Sequence, residues 1–281
     1  MGKFDGILIL SDFDRTLTGP DGTVCQKNLD AIQYFEDNGG LFSIDTGRSL
    51  PLFRCKAPMC HINAPVVLNN GALCYDLEKE QVIFSVELDP DIWDFMDELQ
   101  KRFPMFNCEV QGLYKHAVYR AEQARLEQFK DHGVEMYEKP FREITDPFYM
   151  VACLGHFINP EDTSISFRSI ETENEKAFIE CNQWIEESSH YSPVRSTHEI
   201  LEFMIKGISK GSGARRLAST LNVEKLICVG DALNDVSMVR EADIGYMPCD
   251  GDSVFFPLAG PDMILCASSE DGAVADIIDR L

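Results

Sequence analysis

The chain has 281 residues, enough for one large or two modest domains with a substantial core. Its 44% hydrophobic content and mean hydropathy of −0.15 are those of a globular protein. An excess of 47 acidic over 25 basic side chains gives a net charge of −22, which argues against nucleic acid or anionic membrane as a partner.

An anionic substrate would therefore have to be met by a few concentrated cationic groups working against a repulsive overall field. The first six residues lack an apolar leader, and Gly6 stands where a myristoylation pattern needs Ser or Thr. No apolar run approaches membrane-spanning length. The ten cysteines show no paired spacing, so reduced thiols in a cytoplasmic protein are expected. Cys55, Cys60 and His61 lack a fourth ligand at suitable spacing, and packing thiols are the simpler expectation.

Taken in chain order, Ile7-Leu8-Ile9-Leu10 reads as a short buried strand, and Asp12 and Asp14 sit where it ends. A helical face with Ile32 and Phe35 stops at Asn38-Gly39-Gly40. A strand over 41–44 follows, then a helix after Arg48 and a strand over 65–68. Residues 73–75 against 82–84 form a hairpin. From about 88 the rhythm changes. An acidic amphipathic helix over 90–102 precedes two short strands (106–110 and 113–118), a charged helix over 122–130, a strand over 148–153 and a helix over 174–187. Alternation resumes with a strand over 199–205, a helix over 211–221, and strands at Leu226 and Ile244. Strands alternating with helices predict an α/β fold, a doubly wound and mostly parallel Rossmann-like sheet. Residues 1–87 and 191–281 are expected to form this core, with 88–190 as a smaller α/β domain inserted in it.

Side chains two apart on an extended chain point the same way, so Asp12 and Asp14 converge. Two such carboxylates repel unless a cation or shared proton lies between them, and a hard ion such as Mg²⁺ suits them. Alone, the pair also fits a solvated turn. A second apolar run, Lys225 to Val229, ends in Gly230-Asp231-Ala232-Leu233-Asn234-Asp235. Two acidic clusters at strand ends suggest one metal site, because ligands of open α/β sheets gather outside the carboxyl ends of the strands.

With these motifs the chain resembles the haloacid-dehalogenase-like superfamily, in particular the Cof-like phosphatases. Asp12-Phe13-Asp14-Arg15-Thr16 matches the first motif of that family and Ser43 to Arg48 holds the second at Thr46. Ile208-Ser209-Lys210-Gly211 matches the third and Gly230 to Asp235 the fourth. The resemblance spans nearly the whole chain. It implies a Mg²⁺-dependent phosphatase of small phosphorylated metabolites, sugar phosphates or nucleotides, working through an aspartyl-phosphate. It also implies that 88–190 is a cap that selects the substrate. Asp12 would be the nucleophile and Asp14 the general acid and base. Asp12, Asp14, Asp231 and Asp235 would serve the metal, Asp235 through water or supporting bonds. Thr46, Gly47, Lys210 and Asn234 would bind phosphate, with Arg48, Asn70 and Gly71 toward the substrate. Arg15 departs from the family, which usually has Gly there, so an altered loop or an extra substrate contact is expected. Lys206 is a rival to Lys210. Lys115, His116, Arg120 and Arg142 could read the substrate or simply be surface charges. A phosphomutase of the phosphomannomutase type and a non-catalytic metal-binding regulator are the alternatives. Oligomeric state has no signature in the sequence.

Two other motifs fail. Gly207-Ile208-Ser209-Lys210-Gly211 has the spacing of a serine nucleophile elbow, but no histidine follows His198 to complete a triad in that order. The Gly211-Ser212-Gly213 start of a dinucleotide fingerprint has Arg216 where its last glycine belongs.

Overall fold

The computed structural model describes residues 2–155, 167–197 and 200–281. The chain forms two units. Met1–Arg48, Lys56–Ser85 and Ile208–Leu281 make the first, and Ser49–Cys55 with Val86–Gly207 the second.

The first unit begins with β1 (Ile7–Ser11), α1 (Gln26–Asp37) and β2 (Leu41–Ile44). The short α2 (Leu50–Arg54) groups with the second unit. The chain then returns through β3 (Val66–Leu68), β4 (Leu73–Asp76) and β5 (Gln81–Ser85), an antiparallel three-stranded sheet.

In the second unit, α3 (Ile92–Arg102), β6 (Asn107–Gly112), β7 (Lys115–Arg120), α4 (Gln123–Asp131), β8 (Glu135–Met136), β9 (Phe148–Leu154), α5 (Phe167–Glu187), β10 (Tyr191–Thr197) and β11 (Ile200–Ile205) follow. Their sheet has the order β10-β11-β9-β6-β7-β8. Strand alternation gives it two unlike faces. Val110, Val151, Leu201 and Phe203 share a core with Ile92, Met96 and Leu99 of α3 and Phe178 and Ile185 of α5. The residues between them include the buried polar side chains of Glu109, Gln111, His116 and Glu202, beside Met150 and Ala152. There Arg125 makes a fork on Glu109 (2.8 and 3.1 Å), Gln111 donates to Glu109, and His116 Nε2 meets Ser49 Oγ at 3.0 Å.

This corrects the expected boundary. Residues 191–207 belong to the second unit, because β10 and β11 pair antiparallel with each other and β11 with β9. Glu199, the expected start of the last of these strands, lies outside the described residues.

The first unit resumes with α6 (Lys210–Leu221), β12 (Lys225–Val229), α7 (Val236–Glu241), β13 (Ile244–Pro248), α8 (Phe256–Ala259), β14 (Ile264–Cys266) and α9 (Ala273–Asp279). Its main sheet has the order β14-β13-β12-β1-β2 and is parallel throughout. Leu8, Leu10, Leu226 and Cys228 pack with Ala214 and Leu217 of α6. Ile9 and Ile227 turn to the other face by alternation, the side on which α1 meets β2 and α9. The fold is α/β with a mostly parallel sheet, and β1 and β12 end side by side at its centre. Among the described residues no helix is long and apolar enough to cross a membrane.

Candidate active site

Because β1 and β12 are neighbours, the residues following them arrive at one edge of the sheet. The Asp12 amide still donates to the Val229 carbonyl (2.9 Å), which fixes its carboxyl beside the loop that begins at Gly230. In that loop Asp235 folds back, and its Oδ2 accepts the amides of Asp231 (3.1 Å) and Ala232 (3.0 Å). Gly230 permits this, since a Cβ there would lie 2.4 Å from the Asp235 side chain.

The third contributor is α6. Ser209 caps it, accepting from the Ser212 amide while Ser212 Oγ accepts from the Ser209 amide. Lys210, the first helical residue, is thereby aimed inward and is 1% exposed. Its Nζ donates to Asp12 Oδ1 (2.5 Å) and Asp235 Oδ1 (2.6 Å). The loop Asn69–Gly71 lies against this helix start. A Cβ on Gly71 would sit 2.1 Å from the Ser209 carbonyl oxygen, and φ is +97° there.

Carboxylate oxygens of Asp12, Asp231 and Asp235 lie within 4.8 Å of one another, the one such group among the described residues. Burial pushes the Asp12 carboxyl well above the usual range, with Asp235, Asp231 and Asp14 adding to the rise and Lys210 opposing it. Asp231 is raised to about 7 by burial and by Asp235, against the Thr16 hydroxyl, which donates to its Oδ1 at 2.8 Å. For Lys210 burial works against the charged form, yet Asp12, Asp235 and Asp45 outweigh it and hold the ammonium above the ordinary lysine range. Buried carboxylates crowded like this call for positive charge beyond the single lysine. The donors are hard oxygens without sulfur or imidazole, so the set fits Mg²⁺.

The other expected residues fall around this centre. Asp14 is not in the carboxylate cluster. It is exposed and held by Arg48 through a two-pronged pair, Nε to Oδ2 at 2.7 Å and Nη2 to Oδ1 at 2.8 Å. Arg15 adopts φ +63°, so this side chain takes the left-handed conformation that glycine would hold without strain. Thr46 is buried, and its Oγ accepts the Arg48 amide (3.2 Å) across Gly47. Asn234 donates to Asn70 Oδ1 (3.1 Å). Lys206 is exposed and follows the last strand of the second unit, whereas Lys210 is the lysine paired with Asp12 and Asp235.

Elsewhere, Lys115 pairs with Glu135 and Arg142 with Asp94 and Asp97 at exposed positions, and Arg120 donates to the Pro104 carbonyl. His116, by contrast, is fully buried and no surface charge. His61 meets Glu36 at 2.5 Å, and burial raises the Cys60 thiol to about 12. Among the described residues that region has no metal-ligand cluster.

Two residues escaped the sequence reading of the site. Thr16 orients Asp231. Asp45 is fully buried, and neither of its carboxyl oxygens has a hydrogen-bond partner among the described residues. Its position just before Thr46, two residues past Ser43 on a strand, was the available signal.

Comparison with known proteins gives the same picture. A family model described as haloacid dehalogenase-like hydrolase matches residues 9–278. A putative phosphatase of Mycoplasma genitalium is 24% identical over 240 residues, covering 83% of each chain. The 5-amino-6-(5-phospho-D-ribitylamino)uracil phosphatase of Bacillus subtilis is 23% identical over 275 residues, covering 96% of this chain and 94% of its own. Among solved structures, a haloacid dehalogenase-like hydrolase from B. subtilis superposes with a TM-score of 0.77 at 20% identity, over 98% of this chain and 99% of that one.

Proposed function

The chain belongs to the haloacid dehalogenase-like hydrolase family and is an enzyme of its phosphatase kind, and from that premise we propose that it hydrolyses small phosphorylated metabolites with Mg²⁺ through an aspartyl-phosphate. Sugar phosphates are the leading substrate class, followed by nucleotides and phosphorylated cofactors. The observation that carries the reading is Lys210, a buried cation bonded to Asp12 and Asp235 beside the carboxyl of Asp231.

Asp12 and Asp231 would hold the metal, with Asp235 fixing the loop and sharing Lys210. Bound there, Mg²⁺ supplies charge for the phosphoryl oxygens and keeps Asp12 ionised. Asp12 attacks phosphorus in line with the leaving oxygen, forming an acyl phosphate. Lys210 and the Thr46 hydroxyl compensate charge on the transferred group. The Asn70–Asn234 bond ties two loops at the rim and orients both amides toward the phosphate. Asp14 protonates the leaving oxygen and later takes a proton from the attacking water. Arg48, which now grips Asp14, is the group a polar substrate would engage. The second unit is read as the cap that selects the substrate. The free thiols support a reducing, cytoplasmic location.

The test is phosphate release from a panel of phosphorylated metabolites and an aryl phosphate, with Mg²⁺ or EDTA, alongside Asp12→Asn. Metal-dependent release that disappears in the folded variant is the expected result. Wild-type turnover by Asp12→Asn would overturn the nucleophile assignment.

A further inference from the structure

Asn69, Asn70 and Gly71 form the one run of three successive residues at positive φ among the described residues, at +51°, +51° and +97°. Asparagine takes the left-handed conformation singly without much cost, but side chains in succession rarely do. Both asparagines are buried, so this is not a solvated surface turn.

The hydrogen bonds show what the conformation accomplishes. β3 runs parallel to the chain at Asp45, and the Thr46 amide donates to the Val67 carbonyl at 3.0 Å. On an extended chain successive amides point to opposite sides, so only one of two neighbours could reach the same segment. Here the coiled backbone turns both inward. The Asn69 amide donates to the Arg48 carbonyl at 3.1 Å, and the Asn70 amide to the Thr46 carbonyl at 3.2 Å. Residues 67–70 therefore grip the Thr46–Arg48 turn by one amide and two carbonyls. On its other side the loop rests on the first turn of α6, where a Cβ on Gly213 would lie 2.7 Å from Gly71 Cα. Asn70 Oδ1 accepts from the Asn234 side chain. All these residues belong to the first unit. One short loop thus touches the three segments that carry Thr46, Lys210 and Asn234.

We propose that Asn69 is a positioning residue whose left-handed backbone sets the Thr46–Arg48 turn against the start of α6, and with it the Thr46 hydroxyl relative to Lys210. Were residue 69 to relax to the extended conformation, both amides could no longer reach residues 46 and 48. The clasp on those two carbonyls stands on the hydrogen bonds alone. Its kinetic consequence rests on the phosphatase reading.

Asn69→Gly and Asn69→Ala test it as a pair. Both delete the buried side chain, and they differ only in a Cβ, which disfavours positive φ by a factor of roughly 5–30. Hydrogen exchange at the amides of residues 69 and 70 should be roughly fivefold or more faster in Asn69→Ala than in Asn69→Gly. Turnover of an aryl phosphate, measured well below the melting temperature, should fall roughly fivefold or more in Asn69→Ala with KM within about twofold. Asn69→Gly should stay within about twofold of the wild type in both. Should the alanine chain not fold, Asn69→Ser, which has the same Cβ, repeats the comparison. Equal losses in the glycine and alanine variants would overturn the proposal, because the side chain and not the backbone would then carry the effect. So would an alanine variant that melts lower but turns over like the wild type, the behaviour of a structural residue. If the wild type releases no phosphate, the phosphatase reading fails, and the exchange rates still decide whether Asn69 sets the clasp on Thr46 and Arg48.

Discussion

Replacing Lys210 with methionine removes the cation that Asp12 and Asp235 share while keeping the stem that fills its space. The ammonium stands 2.5 Å from Asp12 and 2.6 Å from Asp235. At an effective dielectric of roughly 20, each contact has a gross attraction of about 6 kcal/mol. Desolvating the three charges offsets several kcal/mol per ion, and breaking such a buried arrangement costs about 3–5 kcal/mol net. Lys210→Met should thus melt on the order of 10 °C lower at neutral pH without metal. Added Mg²⁺ should recover part of the loss, since it supplies positive charge to the same carboxylates. Turnover should fall by roughly a hundredfold or more even with Mg²⁺ present. Thermal unfolding with Mg²⁺ or EDTA, paired with phosphate release, reads both effects. A variant as stable as the wild type in EDTA, with turnover reduced less than about threefold, would refute the reasoning and move the role to another residue.

Two further outcomes follow from residues at the edges of this picture. Arg15→Gly relieves a left-handed φ of +63° and should stabilise the fold by about 0.5–1 kcal/mol. If turnover falls while the melting temperature rises, Arg15 is a substrate contact. A lower melting temperature would show that the Arg15 side chain, not its backbone, holds the loop. His116 is depressed to about 4 chiefly by burial, with Glu109 opposing and Arg125 reinforcing the drop. The unfolded chain, with a usual value near 6.5, binds this proton first, so stability is lost as pH falls from about 6.5 toward 4, by about 3 kcal/mol in all. Urea unfolding of wild type and His116→Gln across that range should show a shallower pH slope in the variant, and equal slopes would place the titration elsewhere.

Much of this arrangement was legible from the chain because the decisive acids follow apolar runs. The runs before Asp12 and Gly230 pair as β1 and β12, which alone brings Asp12 and Asp231 to one edge. Lys210 was preferred to Lys206 on its motif, and the structure adds what nothing local says, that β11, which Lys206 follows, lies in the other unit. The boundary at 190 failed for the same reason. An apolar strand such as Ile200–Ile205 carries its face in its sequence but not its partner, and pairing with β9 across about fifty residues decided its sheet. His116 of the second unit shows the reverse error, a polar residue assigned to the surface that an arginine–glutamate pair and a serine hydroxyl accompany in the interior. Asp45 is the instructive omission. Its alternation with Ser43 was visible, but a single acid before a threonine reads as a turn residue until the neighbouring strand is known to end in Asp12. Once that register is fixed, a buried carboxyl without a hydrogen-bond partner among the described residues is the local conflict to expect where a site, and not stability, has set the residue.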